Sequence, residues 1–194
     1  MLANLLFMML GSLVLQGGER PTINRVLVTT PYNASIVYEY ANASIREDQP
    51  VNDGSLECVR SQLRATGLFS DIRIRLKPVG SNKVDVDITP VWSEEKDSFV
   101  ITEIAMEGIN DVRAQPLLRA LERKGVKPGA RLLKFPLSAI RQRLLESVHE
   151  MYAADRETMH EIEEQVSDVS FRIVLLSPRS VKLVLTTVAN PICG

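Results

Sequence analysis

The chain has 194 residues, 45% hydrophobic and 24% charged, with a formal net charge of −1. That is globular composition, and the near-neutral balance gives no electrostatic drive toward nucleic acid. Only 5% of residues are aromatic, so aliphatic side chains must fill the core, and each of two small units would have a thin one.

The first 18 residues carry an apolar run, Leu5-Leu6-Phe7-Met8-Met9-Leu10 and then Leu13-Val14-Leu15. A membrane-spanning helix needs about 20 apolar residues, so this run reads as the apolar region of a secretory signal. No Lys or Arg precedes it, and no Ala-x-Ala site precedes Gly17-Gly18, so a buried helix or a retained anchor stays open. Cys58 and Cys193 are the two cysteines, too far apart for zinc spacing. Cys58 reads as a small core residue, with a bridge to Cys193 as the alternative.

A first unit is expected over 22–92. β-Branched residues over Asn24–Thr30, bounded by Pro31, predict a strand. Tyr32–Gln49 is mixed, with a helix over Ile36–Ile45. Asn52-Asp53-Gly54-Ser55 starts a second helix, whose Leu56, Val59 and Leu63 share one face. Gly67 ends it in the left-handed conformation. Ile72-Arg73-Ile74-Arg75-Leu76-Lys77 alternates apolar and cationic residues, and Val84-Asp85-Val86-Asp87-Ile88 alternates with acidic ones. The two segments predict a hairpin, with Arg73 and Arg75 facing Asp85 and Asp87 on a solvated face.

A charged joint, Ser93–Asp97, leads to a second unit expected over 98–190. Its elements are a strand over Phe99–Met106, a helix from Asn110 containing Leu117, Leu118 and Leu121, and a helix from Ser138 with Ile140, Leu144, Val148, Met151 and Tyr152 as its buried stripe. Pro116 falls just beyond the first turn, where proline is costly. Asp155–Ser167 either extends the long helix or forms a mobile insert. Phe171–Leu176 and Val181–Leu185 form a second hairpin. The order strand, helix, helix, strand, strand thus occurs twice, and Ile72-Arg73-Ile74 is echoed by Phe171-Arg172-Ile173. Two α+β units on a joint follow, with few contacts between them.

Thr66-Gly67-Leu68-Phe69-Ser70-Asp71-Ile72, followed by an alternating hairpin, resembles the glycine–hydrophobic–phenylalanine signature of POTRA domains. These are the polypeptide-transport-associated modules of the Omp85 outer-membrane assembly and secretion proteins. Ile104–Asn110, Leu117–Leu121 and Gly125–Gly129 are similar to the opening strand, first helix and loop of such a module. The second unit lacks the Gly-x-Phe junction before its hairpin. The resemblance implies two tandem β-α-α-β-β modules, each a three-stranded mixed sheet covered by two helices. It also implies a periplasmic protein that binds unfolded outer-membrane or secreted polypeptides, or an outer-membrane β-barrel and its accessory proteins. No barrel lies within the 194 residues, so pore formation is not carried over. The alternative is a cell-envelope scaffolding or division protein with such modules on an N-terminal anchor.

Such modules bind by adding an extended strand to an open sheet edge. The expected edge is Ile72, Arg73, Ile74, Arg75 and Leu76, with Phe171, Arg172, Ile173, Val174 and Leu175 as the second candidate. No phosphate loop, dinucleotide fingerprint or nucleophile elbow occurs. His160 and Glu164 share a helix face but read as a solvated acidic surface. No catalytic residue, metal or cofactor is expected.

Overall fold

The computed structural model describes residues 20–30, 34–93, 99–109, 111–134, 136–167 and 169–187. The apolar segment 1–18, joint residues 94–97 and Cys193 lie outside these ranges. Among the described residues no helix is long and apolar enough to cross a membrane.

The first unit consists of β1 (Thr22–Val28), α1 (Ser35–Ser44), α2 (Asp53–Ala65), β2 (Phe69–Pro78) and β3 (Lys83–Trp92). The second consists of β4 (Val100–Glu107), α3 (Asp111–Arg123), α4 (Leu137–Tyr152), α5 (Arg156–Ser167), β5 (Ser170–Ser177) and β6 (Ser180–Thr186). The sheet orders are β1-β3-β2 and β4-β6-β5. In each sheet the last strand is central, parallel to the first and antiparallel to its hairpin partner. Parallel pairing needs a long crossover, which the helices supply. Both units therefore show the mixed α+β architecture expected from the repeat.

Local signals explain the elements. The Asn52 side chain accepts the N–H of Gly54 at 2.9 Å and opens α2. Leu56, Val59 and Leu63 are buried under the first sheet, and Ile140, Leu144 and Val148 under the second. Gly67 has φ +73°, the left-handed geometry that lets the chain leave α2 and enter β2. Pro116 sits inside α3, while Ala114, Leu117, Ala120 and Leu121 around it are buried, so packing offsets the missing hydrogen bond.

Several expectations are corrected. The second unit carries a third helix, because Asp155–Ser167 forms α5 rather than extending α4. The Asp155 carboxylate accepts the N–H of Thr158 at 3.1 Å, and Ile162 and Val166, one turn apart, are buried. On the first hairpin Arg75 pairs with Asp87, but Arg73 pairs with Thr89, and Asp85 with Lys77. The acidic side is not solvated: Asp85 and Asp87 are 4% and 6% exposed. Long partners cover them, since Asn24 and Arg25 bind Asp85 while Thr29 and Lys77 bind Asp87. Cys58 is buried and disulfide-bonded.

The expectation of few contacts between the units is also overturned. Their apolar side chains form one continuous cluster, running from Ile23 to Leu185. Trp92 packs at a tilt against Phe69, with ring centroids 4.6 Å apart, and reaches Phe99, the first described residue of the second unit, at 6.2 Å. Helix α1 packs against α4.

Candidate functional site

Each sheet has two edges: β1 and β2 in the first, β4 and β5 in the second. A strand turns the N–H and C=O of alternate residues to alternate sides. Thr29 donates its N–H to the Ile88 carbonyl at 2.9 Å, so Ile88 turns its backbone toward β1. By alternation Asp85, Asp87 and Thr89 turn toward β2, where they pair with Lys77, Arg75 and Arg73. The Val79 N–H, bonded to the Lys83 carbonyl at 2.8 Å, continues the same ladder. Ile72, Ile74 and Leu76 therefore turn their backbone groups outward.

The outward edge of β2 is blunted at one end. The Ile72 N–H donates to the neighbouring Asp71 carboxylate at 2.9 Å. Arg73 and Arg64 bind that carboxylate at 3.2 and 3.6 Å. The Arg73 hydrogen bond, ahead of the cost of partial burial, holds the Asp71 carboxyl below its ordinary value. Beyond it, no side chain among the described residues is recorded on the outward N–H of Ile74 or Leu76. Leu76 is 41% exposed, and Arg73, Arg75 and Lys77 alternate beside it.

The β5 edge has the same parity and a different fate. The Phe171 N–H donates to the Glu39 carboxylate at 3.4 Å, and the Ile173 N–H donates to the Tyr40 hydroxyl at 3.0 Å. Both acceptors belong to α1 of the first unit. Arg141 on α4 binds both Glu39 oxygens, at 3.1 and 3.3 Å, and donates to the Val169 carbonyl at 2.7 Å. Its guanidinium lies 5.2 Å from the Phe171 ring centroid. Burial pushes the Tyr40 phenol above its usual value, so it stays a neutral acceptor. Leu175, the next outward position, lies against Gly67, where an added Cβ would meet the Leu175 Cβ at 2.9 Å. A cavity of about 180 Å³ opens at this junction, lined in part by Tyr40, Thr66, Arg172 and Val174.

The predicted site residues thus divide into two groups. Ile72–Leu76 form a free-standing edge strand, with Arg73 and Arg75 committed to the inner ladder. Phe171–Leu175 also form an edge strand, but the first unit covers it, and Arg172 binds Glu107 at 2.9 Å. Sequence reasoning missed Glu39, Tyr40 and Arg141. For Glu39 and Tyr40 the local signal is a glutamate and a tyrosine side by side on a short helix that buries Ile36, Val37, Tyr40 and Ala41. Among the described residues no group of His, Cys, Asp or Glu could hold a metal. His160 is exposed, and His149 pairs with Glu163 at 3.2 Å.

No family model and no curated protein matches the chain. Among solved structures it is similar to the N-terminal domain of Omp85 from the thermophilic cyanobacterium Thermosynechococcus elongatus. Identity there is 16% over 84% of this chain and 61% of that one, so less than two thirds of that structure is spanned, and the TM-score is 0.33. It is also similar to POTRA1-2 of the periplasmic domain of Omp85 from Anabaena, at 14% identity over 87% of this chain and 96% of that one, with a TM-score of 0.33. A third similar structure is BamA from Haemophilus ducreyi lacking POTRA domains 1-3, at 12% identity over 87% of this chain and 29% of that one, with a TM-score of 0.31.

Proposed function

We propose that this chain is a periplasmic polypeptide-binding protein that takes an extended client strand along the outward edge of β2, in the service of outer-membrane protein assembly or polypeptide transport. It acts by binding, without catalysis. The observation that carries this reading is the contrast between the two β-hairpin edges. The β5 edge has the outward donors of Phe171 and Ile173 filled from within the chain. The β2 edge offers the N–H and C=O groups of Ile74 and Leu76 on a strand whose inner side is fully laddered. Main-chain pairing along such an edge supplies affinity with little demand on client sequence, which suits unfolded outer-membrane polypeptides. Arg73, Arg75 and Lys77 keep the edge from pairing with a second copy, since like charges would then be brought together. The disulfide at Cys58 fits an oxidising compartment.

Proline substitution at the outward positions tests the reading, because proline removes a donor and blocks strand addition. Ile74→Pro and Leu76→Pro should abolish capture of a urea-unfolded porin, while Leu76→Ala should bind as the parent does. Folding is checked by circular dichroism. Undiminished capture by both folded proline variants would remove β2 as the client edge.

A further inference from the structure

The oxygens of Glu39 and Tyr40 lie where the carbonyls of a fourth strand would lie beside β5. In an antiparallel or parallel ladder the added strand presents an acceptor to every second N–H of the edge. Phe171 and Ile173 are two such alternate positions, and each receives one oxygen, at 3.4 and 3.0 Å. Neighbouring residues on α1 thus imitate one stretch of strand. The imitation is held by Arg141, which binds both Glu39 oxygens and is anchored on the Val169 carbonyl. A second fastening, in which the N–H of Leu137 donates to the Ser35 hydroxyl at 3.2 Å, ties α1 to the start of α4.

We infer that β5 is a second strand-binding edge, kept closed by α1 of the first unit, and that an extended polypeptide occupies it when the Glu39–Tyr40 contact is released. The inference rests on the proposed strand-binding role of the sheet edges. The partner chemistry is a main chain with free carbonyls, because the displaced groups are two hydrogen-bond acceptors and the groups left behind are two amide donors. A buried amide without an acceptor is costly, so the edge does not stay open empty. Release and occupation are therefore coupled, and a client bound at β5 moves the first unit off the second.

The probe is a synthetic peptide of alternating valine and threonine carrying a benzophenone. It is presented to the full chain in four forms: unchanged, Leu76→Pro, Glu39→Ala/Tyr40→Phe, and all three substitutions together. Tyr40→Phe keeps the ring in place and removes one oxygen, so the fold is preserved; Tyr40→Phe alone serves as the second variant. Amide hydrogen exchange at Phe171 and Ile173 should rise about tenfold or more in the released forms. Crosslinking at β5 should appear in the triple variant and be absent with Leu76→Pro alone. Unchanged exchange at both amides overturns the latch. Faster exchange without crosslinking at β5 overturns the second edge. If the unchanged chain fails to bind the peptide at β2 but the released forms bind it at β5, the role proposed for β2 fails while this inference stands.

Discussion

The hydroxyl of Tyr40 accepts the backbone N–H of Ile173 at 3.0 Å, joining a helix of the first unit to an edge strand of the second across 133 positions. Edge strands usually escape pairing through charge, proline or a covering loop. Here a helix from the preceding unit does the covering, and the carboxylate of Glu39 and guanidinium of Arg141 hold it there.

That arrangement predicts how the molecule melts. With one continuous apolar cluster and a partly buried ion pair between the units, the parent chain should unfold in a single calorimetric transition. Glu39→Ala combined with Arg141→Ala should lower the stability by about 1–3 kcal/mol, because the buried Phe171 amide loses its acceptor. It should also broaden or split the transition. Two separate transitions in the parent chain would show that the interface does not couple the units.

Leu63 and Leu144 are each completely buried, one under either sheet. Leu63→Ala and Leu144→Ala should each cost about 2–5 kcal/mol, measured by urea unfolding. Near-neutral results at both would mean that the helices do not pack as described.

These helix faces were legible because burial imposes a period on the sequence. The alternation of Ile72–Lys77 marked an edge strand for the same reason, and Asn52 and Gly67 marked the ends of α2 through cap chemistry. The contact of Tyr40 with Ile173 left no such trace. It joins a side chain to a backbone amide, and every residue has an amide, so the partner residue carries no signature. Ladder direction was also hidden: alternation tells which residues share a face, but it takes bonds such as Thr29–Ile88 and Val79–Lys83 to show which share a hydrogen-bonding side. The burial of Asp85 and Asp87 escaped because charge alternation reads as solvation unless longer cations close over it. Helix α5 fully buries Ile162 and Val166, with Met159 half-buried against the core, and the acidic residues between them made that stripe read as a solvated surface.

Gly67 and Gly129 separate backbone conformation from contact. Both have positive φ, +73° and +88°, but only Gly67 lies against another side chain, that of Leu175. An alanine at either position pays about 1–2 kcal/mol for the left-handed conformation. Gly67→Ala should cost more than Gly129→Ala in urea unfolding, because the Leu175 Cβ cannot swing away as a flexible tip could. Equal costs would show that β5 does not press on the α2–β2 junction.

Acid should loosen the first sheet. Hydrogen bonds from Asn24 and then Arg25 hold the Asp85 carboxyl below its ordinary value, and that of Lys77, followed by Thr29, does so for Asp87. Both folded values are depressed, so the stabilisation is fully present above the unfolded value of about 3.9. It is lost as pH falls through the folded values, when the unfolded chain binds more protons. Thermal melting followed from pH 7 downward should show Asp85→Asn/Asp87→Asn starting lower and declining less below about pH 4 than the parent chain. Parallel curves would mean these carboxylates contribute nothing to the acid response.

The parity of β2 gives the last prediction. Arg75 turns its N–H inward to Asp87, whereas Leu76 turns its N–H outward. The two residues are adjacent, and both side chains are exposed. Proline at either removes one donor, but only at Arg75 does the loss break a ladder bond and leave an acceptor on the central strand without its partner. Arg75→Pro should therefore be less stable than Leu76→Pro by about 1–3 kcal/mol, read from urea midpoints at matched slopes. Binding should follow the opposite order among molecules that remain folded: Arg75→Pro retains the outward donors of Ile74 and Leu76, and Leu76→Pro does not. If Leu76→Pro proves the less stable of the two, the ladder runs in the other register and the open donors are those of Arg73, Arg75 and Lys77.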